Sequence, residues 1–464
     1  MTAAQLIGKL GAAGIKLWLD EEQQLRFKAP KGALTAELKD ELITNKAEVI
    51  AFLADAKGKK LSDTIPRLSR DKDQEYVLSF AQQRFWFLDR LAPGNPSLHI
   101  PAAIRIKGPL NIALLRQSFD ELAQRHESLR SYFVIDEQQQ VLQKIDPSIR
   151  WKLEENYDLS HLNPQACEER IEEILAAEAL RPFDLNKATE GSCRFLRTRL
   201  ARISAEQDTE SCESEYILFL NIHHIIADGW SISLIIQELT LIYQALKNKQ
   251  PVPLNALDIQ YVDFAQWQRK WMQSEHMHKQ LAYWKEQLAD VAVLELPTDF
   301  PRPKQSTHNG SSMHFSIDAS TTNALKLLAQ DNNCSLFSCL LSAFKLLLFR
   351  YSGQSTFAVG TPVAGRNRQD IEKIIGCFIN ILALKTTIDP QQSFVDYAKS
   401  TQATLLAAFE HQDIPFEHVA DAFSENRSLA HSPLFQVLFT MQTGTDLKLD
   451  IDGLQLSFLK QKSH

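Results

Sequence analysis

Cysteine is scarce in this chain: six residues in 464, irregularly spaced and with no CxxC pair. That excludes a disulfide framework and a zinc-ribbon pattern, so Cys167, Cys193, Cys212, Cys334, Cys339 and Cys377 read as free thiols of a reducing compartment. Long hydrophobic runs are missing too. The short apolar stretch at residues 6–15 is followed by acids and shows no cleavage site, and no window is long enough to cross a bilayer. A cytoplasmic protein without membrane contact is the expectation by elimination. An excess of basic charge is absent as well. The net charge of −7 gives no electrostatic reason to bind nucleic acid. There is no P-loop, low-complexity tract or short repeat. What remains is a globular composition, 44% hydrophobic and 23% charged, in a chain too long for one core, so two or three domains are expected.

The first 56 residues read as a small αββαα module. Leu6, Ile7 and Leu10 suit a short helix that Gly14 ends. "IKLWLD" and "QLRFKAP" alternate, placing Leu17, Leu19, Leu25 and Phe27 on one face and Lys16, Trp18, Arg26 and Lys28 on the other. Thr35 and the "NKAE" box at Asn45 start two further helices, over 36–43 and to about residue 55. A tryptophan among three cations suits either a surface covered by lysine stems or a binding face, since an open hairpin edge accepts an added strand. The stretch "GIKLWLDEEQQLRFKAPKGALTAEL" resembles the TubC-type N-terminal docking domain of megasynthase subunits. The resemblance implies that the polar hairpin face, with Lys31 just beyond it, binds the acidic C-terminal tail of an upstream subunit. It also implies a homodimer through this module. Residues 57–75, polar and broken by Pro66, read as a linker.

From Tyr76 onward, strand-like and helix-like runs alternate, with a break near residue 250, which gives two mixed α/β lobes at 76–250 and 251–464. Ser79 with Gln82 is a capping box for a helix whose aromatics Phe80, Phe85, Trp86 and Phe87 are assigned to the core. Further helices are expected at 111–126, 231–247 and over "LFSCLLSAFKLLLFRYS". Strands are expected at "EYILFLNI", "SSMHFSI", "FAVGTPV", "FINILALKTTI" and "PLFQVLFTMQ".

Between one strand and the helix after it lies "HHIIADGW". Glycine after aspartate rules out one continuous helix through residues 223–230, so the histidines occupy a strand-to-helix loop. Adjacent residues of an extended chain point to opposite faces, so one histidine goes inward and one to the cleft. A metal site lacks a third ligand nearby. A nucleophile elbow fails because Ser233 stands where its second glycine belongs. A cleft histidine without a nucleophile suits direct acyl transfer, in which it manages the proton of an attacking amine or positions that amine. An α-amine, with a pKa of roughly 7.7–8.0, needs little help from a base.

"HHIIADG" is similar to the HHxxxDG motif of condensation domains of nonribosomal peptide synthetases. "SFAQQRFWFL", "RHESLRSYF", "YVDFAQW", "IGCFINILALK", "HQDIPFE" and "HSPLFQVLF" follow the family in order, and "LPTDFPRP" is typical of it. The resemblance implies an α/β (α+β) fold of two chloramphenicol-acetyltransferase-like lobes in a V-shaped pseudo-dimer. In it, donor and acceptor peptidyl carrier proteins deliver thioesters on phosphopantetheine arms, and the chain itself binds no cofactor or metal. His224 takes the catalytic place. His223 and Asp228 are structural, the aspartate pairing with Arg125, Arg130 or Arg366. Gly229 leaves room at the reaction centre, with Trp230 beside it, and Asn380 matches an asparagine near the tunnel. The motifs look most like the subtype joining an L donor to an L acceptor; an epimerising or ester-forming variant and an idle carrier-binding scaffold are the alternatives. Lys385, the stretch around Arg427 and "ATEGSCRFLRTRL" depart from the family pattern. No adenylation motif or GGxS carrier serine is present, and the chain ends at "SFLKQKSH", where such a domain passes into the next one, so a piece of a longer protein is expected.

Overall fold

The computed structural model describes residues 16–19, 25–28, 39, 42, 46, 49–50, 64–71, 74–153, 156–185, 194–204, 214–301, 310–423, 434–442, 449–451 and 453–459. The chain divides into two units, Met1–Pro66 and Arg67–His464. In the first, β1 (Lys16–Leu19) and β2 (Leu25–Lys28) form an antiparallel hairpin. Its register sets Lys16 opposite Lys28 and Trp18 opposite Arg26, so these four positions share one face, as the alternation predicts. Lys39, Leu42, Lys46, Val49 and Ile50 are helical; the remainder of the expected helices lies outside the described residues.

The second unit begins earlier than the sequence reading placed it. Arg70 donates to Glu127 and Asp263, each at 2.8 Å, and the Leu68 amide donates to Asp263. The end of the expected linker, from Arg67 on, therefore lies in the second unit and is held there by a buried carboxylate. Strand β3 (Tyr76–Val77) leads into α1 (Phe80–Leu91), capped by the Ser79–Gln82 box. Next come β4 (His99–Lys107), α2 (Ile112–Arg125), β5 (Ser131–Ile135), β6 (Val141–Ile145), β7 (Asn156–Asp158) and α3 (Pro164–Leu180). Strands β8 (Leu196–Ser204) and β9 (Glu215–His223) precede α4 (Gly229–Lys247).

The main sheet runs β12-β13-β4-β9-β8-β7, where β12 (Leu449–Ile451) and β13 (Leu454–Phe458) come from the far end of the chain. A lobe boundary at residue 250 is thus only partly right: β13 pairs with β4 and completes the first lobe's sheet. Strand β9 is apolar from Ile217 to Leu220 because both its faces are covered there. Leu218, Leu220 and Ile222 join the core with α2 and α4, while Ile217 and Phe219 pack with α3 residues Cys167, Ile171 and Ile174.

Helices α5 (Tyr261–Trp271), α6 (Glu275–Leu288), α7 (Ala319–Asp331) and α8 (Leu336–Ser352) follow. The second lobe is centred on the antiparallel pair β10 (Thr356–Val363) and β11 (Asn380–Thr387), with α9 (Phe394–Glu410) and α10 (Phe416–Asp421). "PLFQVLFTMQ" lies beside β10 through a single bridge, Gly360 to Leu438, and is not a full strand. A side chain at Gly360 would collide with the Phe435 ring at 2.6 Å. "SSMHFSI" is no strand either; Met313, Phe315 and Ile317 are exposed, because alternation gives a strand only where a neighbour supplies the ladder. On α1, Phe85 and Trp86 are buried and Phe80 half-buried, but Phe87 is exposed: one helical step past Trp86 leaves the apolar stripe. No single helix among the described residues is long and apolar enough to cross a membrane.

Lys345 on α8 is buried inside the second lobe's core with no acceptor for its ammonium among the described residues, and burial lowers its pKa to about 7. A lysine that holds fewer protons folded than unfolded makes stability rise with pH between about 7 and the unfolded value of roughly 10.4, by up to about 1.4 kcal/mol per unit. Lys345→Met should melt above the parent at pH 6–7 and lose the advantage by pH 10. A variant that melts lower at pH 6–7 means that the amine has a partner.

Candidate active site

Strand β9 ends at His223, and the alternation that buries Phe219 and Leu220 on opposite faces separates the two histidines. His223 is fully buried, its ring between His99, Phe183 and Phe195. Its Nδ1 accepts a hydrogen bond from the Ile225 amide at 3.0 Å, which fixes the ring with the proton on Nε2. Burial, reinforced by His99 and His224, lowers its pKa to about 3.

His224 begins the turn after β9, its amide bonded to the Leu98 carbonyl at 2.8 Å. Its imidazole lies flat on Phe85 of α1, ring centroids 5.1 Å apart and planes 6° from parallel. The ring is half-buried, and Nδ1 has no partner in hydrogen-bond geometry. Burial is the main cause that lowers its pKa to about 4; the Asp228 carboxylate and the Ala227 backbone oppose the drop, Arg84 and His99 add to it. The ring is therefore neutral and able to accept a proton across the physiological range.

Asp228 caps α4: its Oδ1 accepts from the Ser231 amide and the Ser231 hydroxyl, both at 2.8 Å. Its Oδ2 accepts from the Phe378 amide at 3.0 Å. Of the three candidate arginines the structure selects Arg366, whose Nη2 lies 3.1 Å from Oδ1 and 3.3 Å from Oδ2. Arg125 pairs instead with Glu238 on α4, and Arg130 donates to the Ala123 and Gln124 carbonyls. Arg366 also donates to the carbonyls of Ile371, Ile374 and Gly376, and lies 4.2 Å over the Phe378 ring. The ion pair thus ties the histidine loop of the first lobe to the 366–378 loop of the second.

Four side chains grip that loop: Ser128 donates to the Ile375 carbonyl, Tyr261 to Cys377 and exposed Trp230 to Glu372, while the Ser231 hydroxyl accepts from the Gly376 amide. Gly376 has no room for a side chain, since a Cβ would meet the Tyr261 ring at 2.0 Å. A Cβ at Gly229 would meet nothing within 4 Å, so that glycine opens space instead of filling it. Asn380 spends its amide on the Gln412 and Ile414 carbonyls and accepts from the Phe416 amide, holding the "HQDIPFE" segment. Sequence reasoning missed Ser231, Tyr261 and Gly376 as site residues. Ser231 carried a signal, three residues after an N-cap aspartate; the grip of Tyr261 on Gly376 had none. Among the described residues no three His, Cys, Asp or Glu side chains group as metal ligands. Cys167, Cys334, Cys339 and Cys377 are free; Cys193 and Cys212 lie outside the described residues.

Neutralising Asp228 leaves the Arg366 guanidinium buried and unpaired. Asp228→Asn should lose roughly 3–5 kcal/mol of stability, read from denaturant unfolding. A variant that unfolds like the parent yet does not turn over would move Asp228 from structure to chemistry.

A family model described as condensation domain matches residues 72–462, and one described as TubC N-terminal docking domain matches residues 4–55. Malpibaldin synthetase of Mortierella alpina is 38% identical over 396 residues, 85% of this chain but 7% of that protein. Phosphinothricin tripeptide synthetase PhsC of Streptomyces viridochromogenes is 37% identical over 386 residues, covering 82% of this chain and 34% of its own. This chain therefore spans only a small part of these relatives. The X-domain from teicoplanin biosynthesis has the same fold, with a TM-score of 0.74 over 86% of this chain and 84% of that chain at 23% identity. Two lobes pinned through Asp228 and Arg366, and a family match over almost the whole larger unit, lead to one assignment: the chain belongs to the condensation domain family of nonribosomal peptide synthetases and carries a TubC N-terminal docking domain.

Proposed function

We propose that this chain forms an amide bond between two carrier-bound substrates, an acyl or peptidyl thioester and an aminoacyl thioester, each on a phosphopantetheine arm that belongs to a carrier protein. The supporting observation is His224: a neutral imidazole, stacked on Phe85, in the loop that opens at Gly229. The acceptor amine attacks the thioester carbonyl, a C–N bond forms, and the C–S bond breaks. The proton lost by nitrogen passes to the imidazole and then to the departing thiolate, so the histidine is regenerated. His223 and Asp228 serve this step through structure, one as packing, the other as helix cap and pin. Gly229 gives the substrate room, and Trp230 and Asn380 hold neighbouring loops. The motif set favours an L donor and an L acceptor.

The docking module is assigned the acidic C-terminal tail of an upstream subunit, added along the hairpin beside Lys16, Trp18, Arg26 and Lys28, and self-association as a homodimer. Main-chain bonds supply register and the cations supply partner choice.

His224→Ala should keep the parent's melting temperature and lose about 10²- to 10⁴-fold in turnover, followed by mass spectrometry of the acceptor arm with two separately loaded carriers. Because the imidazole is neutral above about pH 4, an inflection near pH 8 should follow the acceptor amine and not this residue. Near-parent turnover in the variant would remove His224 from the chemistry, and no turnover in the parent would leave the chain a carrier-binding scaffold. For the docking module, the upstream tail titrated calorimetrically against the full chain should bind more weakly as salt rises, and reversing Arg26 and Lys28 together should abolish binding although each exposed pair contributes only about 0–1 kcal/mol. Salt-independent binding that survives the reversal would place the partner elsewhere.

A further inference from the structure

The wall behind His224 is itself held by charge. Arg84, the residue before Phe85 on α1, has Nη1 2.9 Å from Glu417 Oε1 on α10, and both side chains are largely buried. The Arg84 guanidinium carbon lies 4.9 Å from the centre of the Phe85 ring that stacks on the imidazole. A second contact joins the same two helices: the Phe80 ring meets His418 edge-on at 4.5 Å. Helix α1 is fixed at its start as well, where the Ser79 and Tyr261 hydroxyls are 2.7 Å apart. Arg84 is thus anchored by a partner from the other lobe, and it and the imidazole both lie against the Phe85 ring.

The charged and titratable groups around His224 divide simply. Asp228 is paired with Arg366; His99 and His223 are buried, both with lowered pKa values; burial pushes the Cys377 thiol well up. Beyond Phe80 lie His418, also lowered by burial, and Arg269. Arg84, only partly offset by Glu417 on its far side, is the remaining cation next to the ring. We propose that Arg84 is a positioning residue for His224: clamped by Glu417 against Phe85, its charge adds to burial in disfavouring the imidazolium. The inference rests on the reading of His224 as the reacting group, but its test does not need turnover.

The test is nuclear magnetic resonance of the His224 Cε1–H signal in the full chain from pH 4.5 to 8, assigned by its loss in His224→Ala. In the parent the signal should stay flat across this window. Arg84→Gln, which keeps a polar side chain but removes the charge, should bring the titration up into the window. Arg84→Lys should leave it flat. The double variant Arg84→Gln/Glu417→Gln, neutral on both sides and free of an orphaned carboxylate, should also shift it upward, by less than the single change. A purely mechanical clamp predicts no upward shift in Arg84→Gln or the double variant, or the same shift in Lys and Gln variants. Either result overturns the proposal. Failure of the reading of His224 as the reacting group is a separate result, retained turnover in His224→Ala.

Discussion

The carboxylate of Asp228 does several jobs that would otherwise need separate residues. It ends the exposed amide row at the start of α4, accepts from the Phe378 amide of the other lobe, and neutralises Arg366. Removing two charges from water costs several kcal/mol per ion in real proteins, so such a pair persists only where further hydrogen bonds complete it. Here most are supplied: Ser231 bonds both partners and three carbonyls of the 371–376 segment accept from Nη1 and Nη2, while Nε has no partner among the described residues. The position of the helix dipole adds to this, because a negative charge at an N-terminus is stabilised. The loop carrying His224 lies four residues before this knot and inherits its rigidity.

That rigidity accompanies a division between two adjacent histidines, one enclosed by packing and the other set against the Phe85 ring. His223 completes a strand and is locked by the Ile225 amide in a ring-lined site. His224 starts the turn, is anchored through its backbone to Leu98, and leaves its ring free of strong hydrogen bonds on the Phe85 face. A reacting imidazole must be neutral and unspent. Burial supplies the first property and the lack of a partner for Nδ1 is in keeping with the second.

The joint between lobes is mostly side chain to backbone. Ser128, Tyr261 and Trp230 each reach a carbonyl in the 372–377 segment and Ser231 accepts from its Gly376 amide; the segment has no side chain at Gly376, so that Tyr261 can approach. Backbone acceptors fix a loop's path regardless of which side chains it carries. The "IGCF" stretch is therefore specified by what reaches it as much as by its own residues.

Much of this was legible in the sequence wherever the cause is local. The Ser79–Gln82 box, the hairpin face of Lys16, Trp18, Arg26 and Lys28, and the split of His223 from His224 follow from spacings of one to three residues, over which backbone geometry alone fixes direction. The motif set placed Asp228 beside a cation but left Arg125, Arg130 and Arg366 open. Pairing across 138 residues depends on where two loops come to rest, and Arg366 won because its loop folds over the N-terminus of α4, while Glu238 and local carbonyls claimed the other two. The same holds for β13, which crosses back to pair with β4, and for Arg70, drawn out of an expected linker by Glu127 and Asp263. Short-range order is written in residue type and period; the choice among distant partners of equal chemistry is made only when burial removes the alternatives.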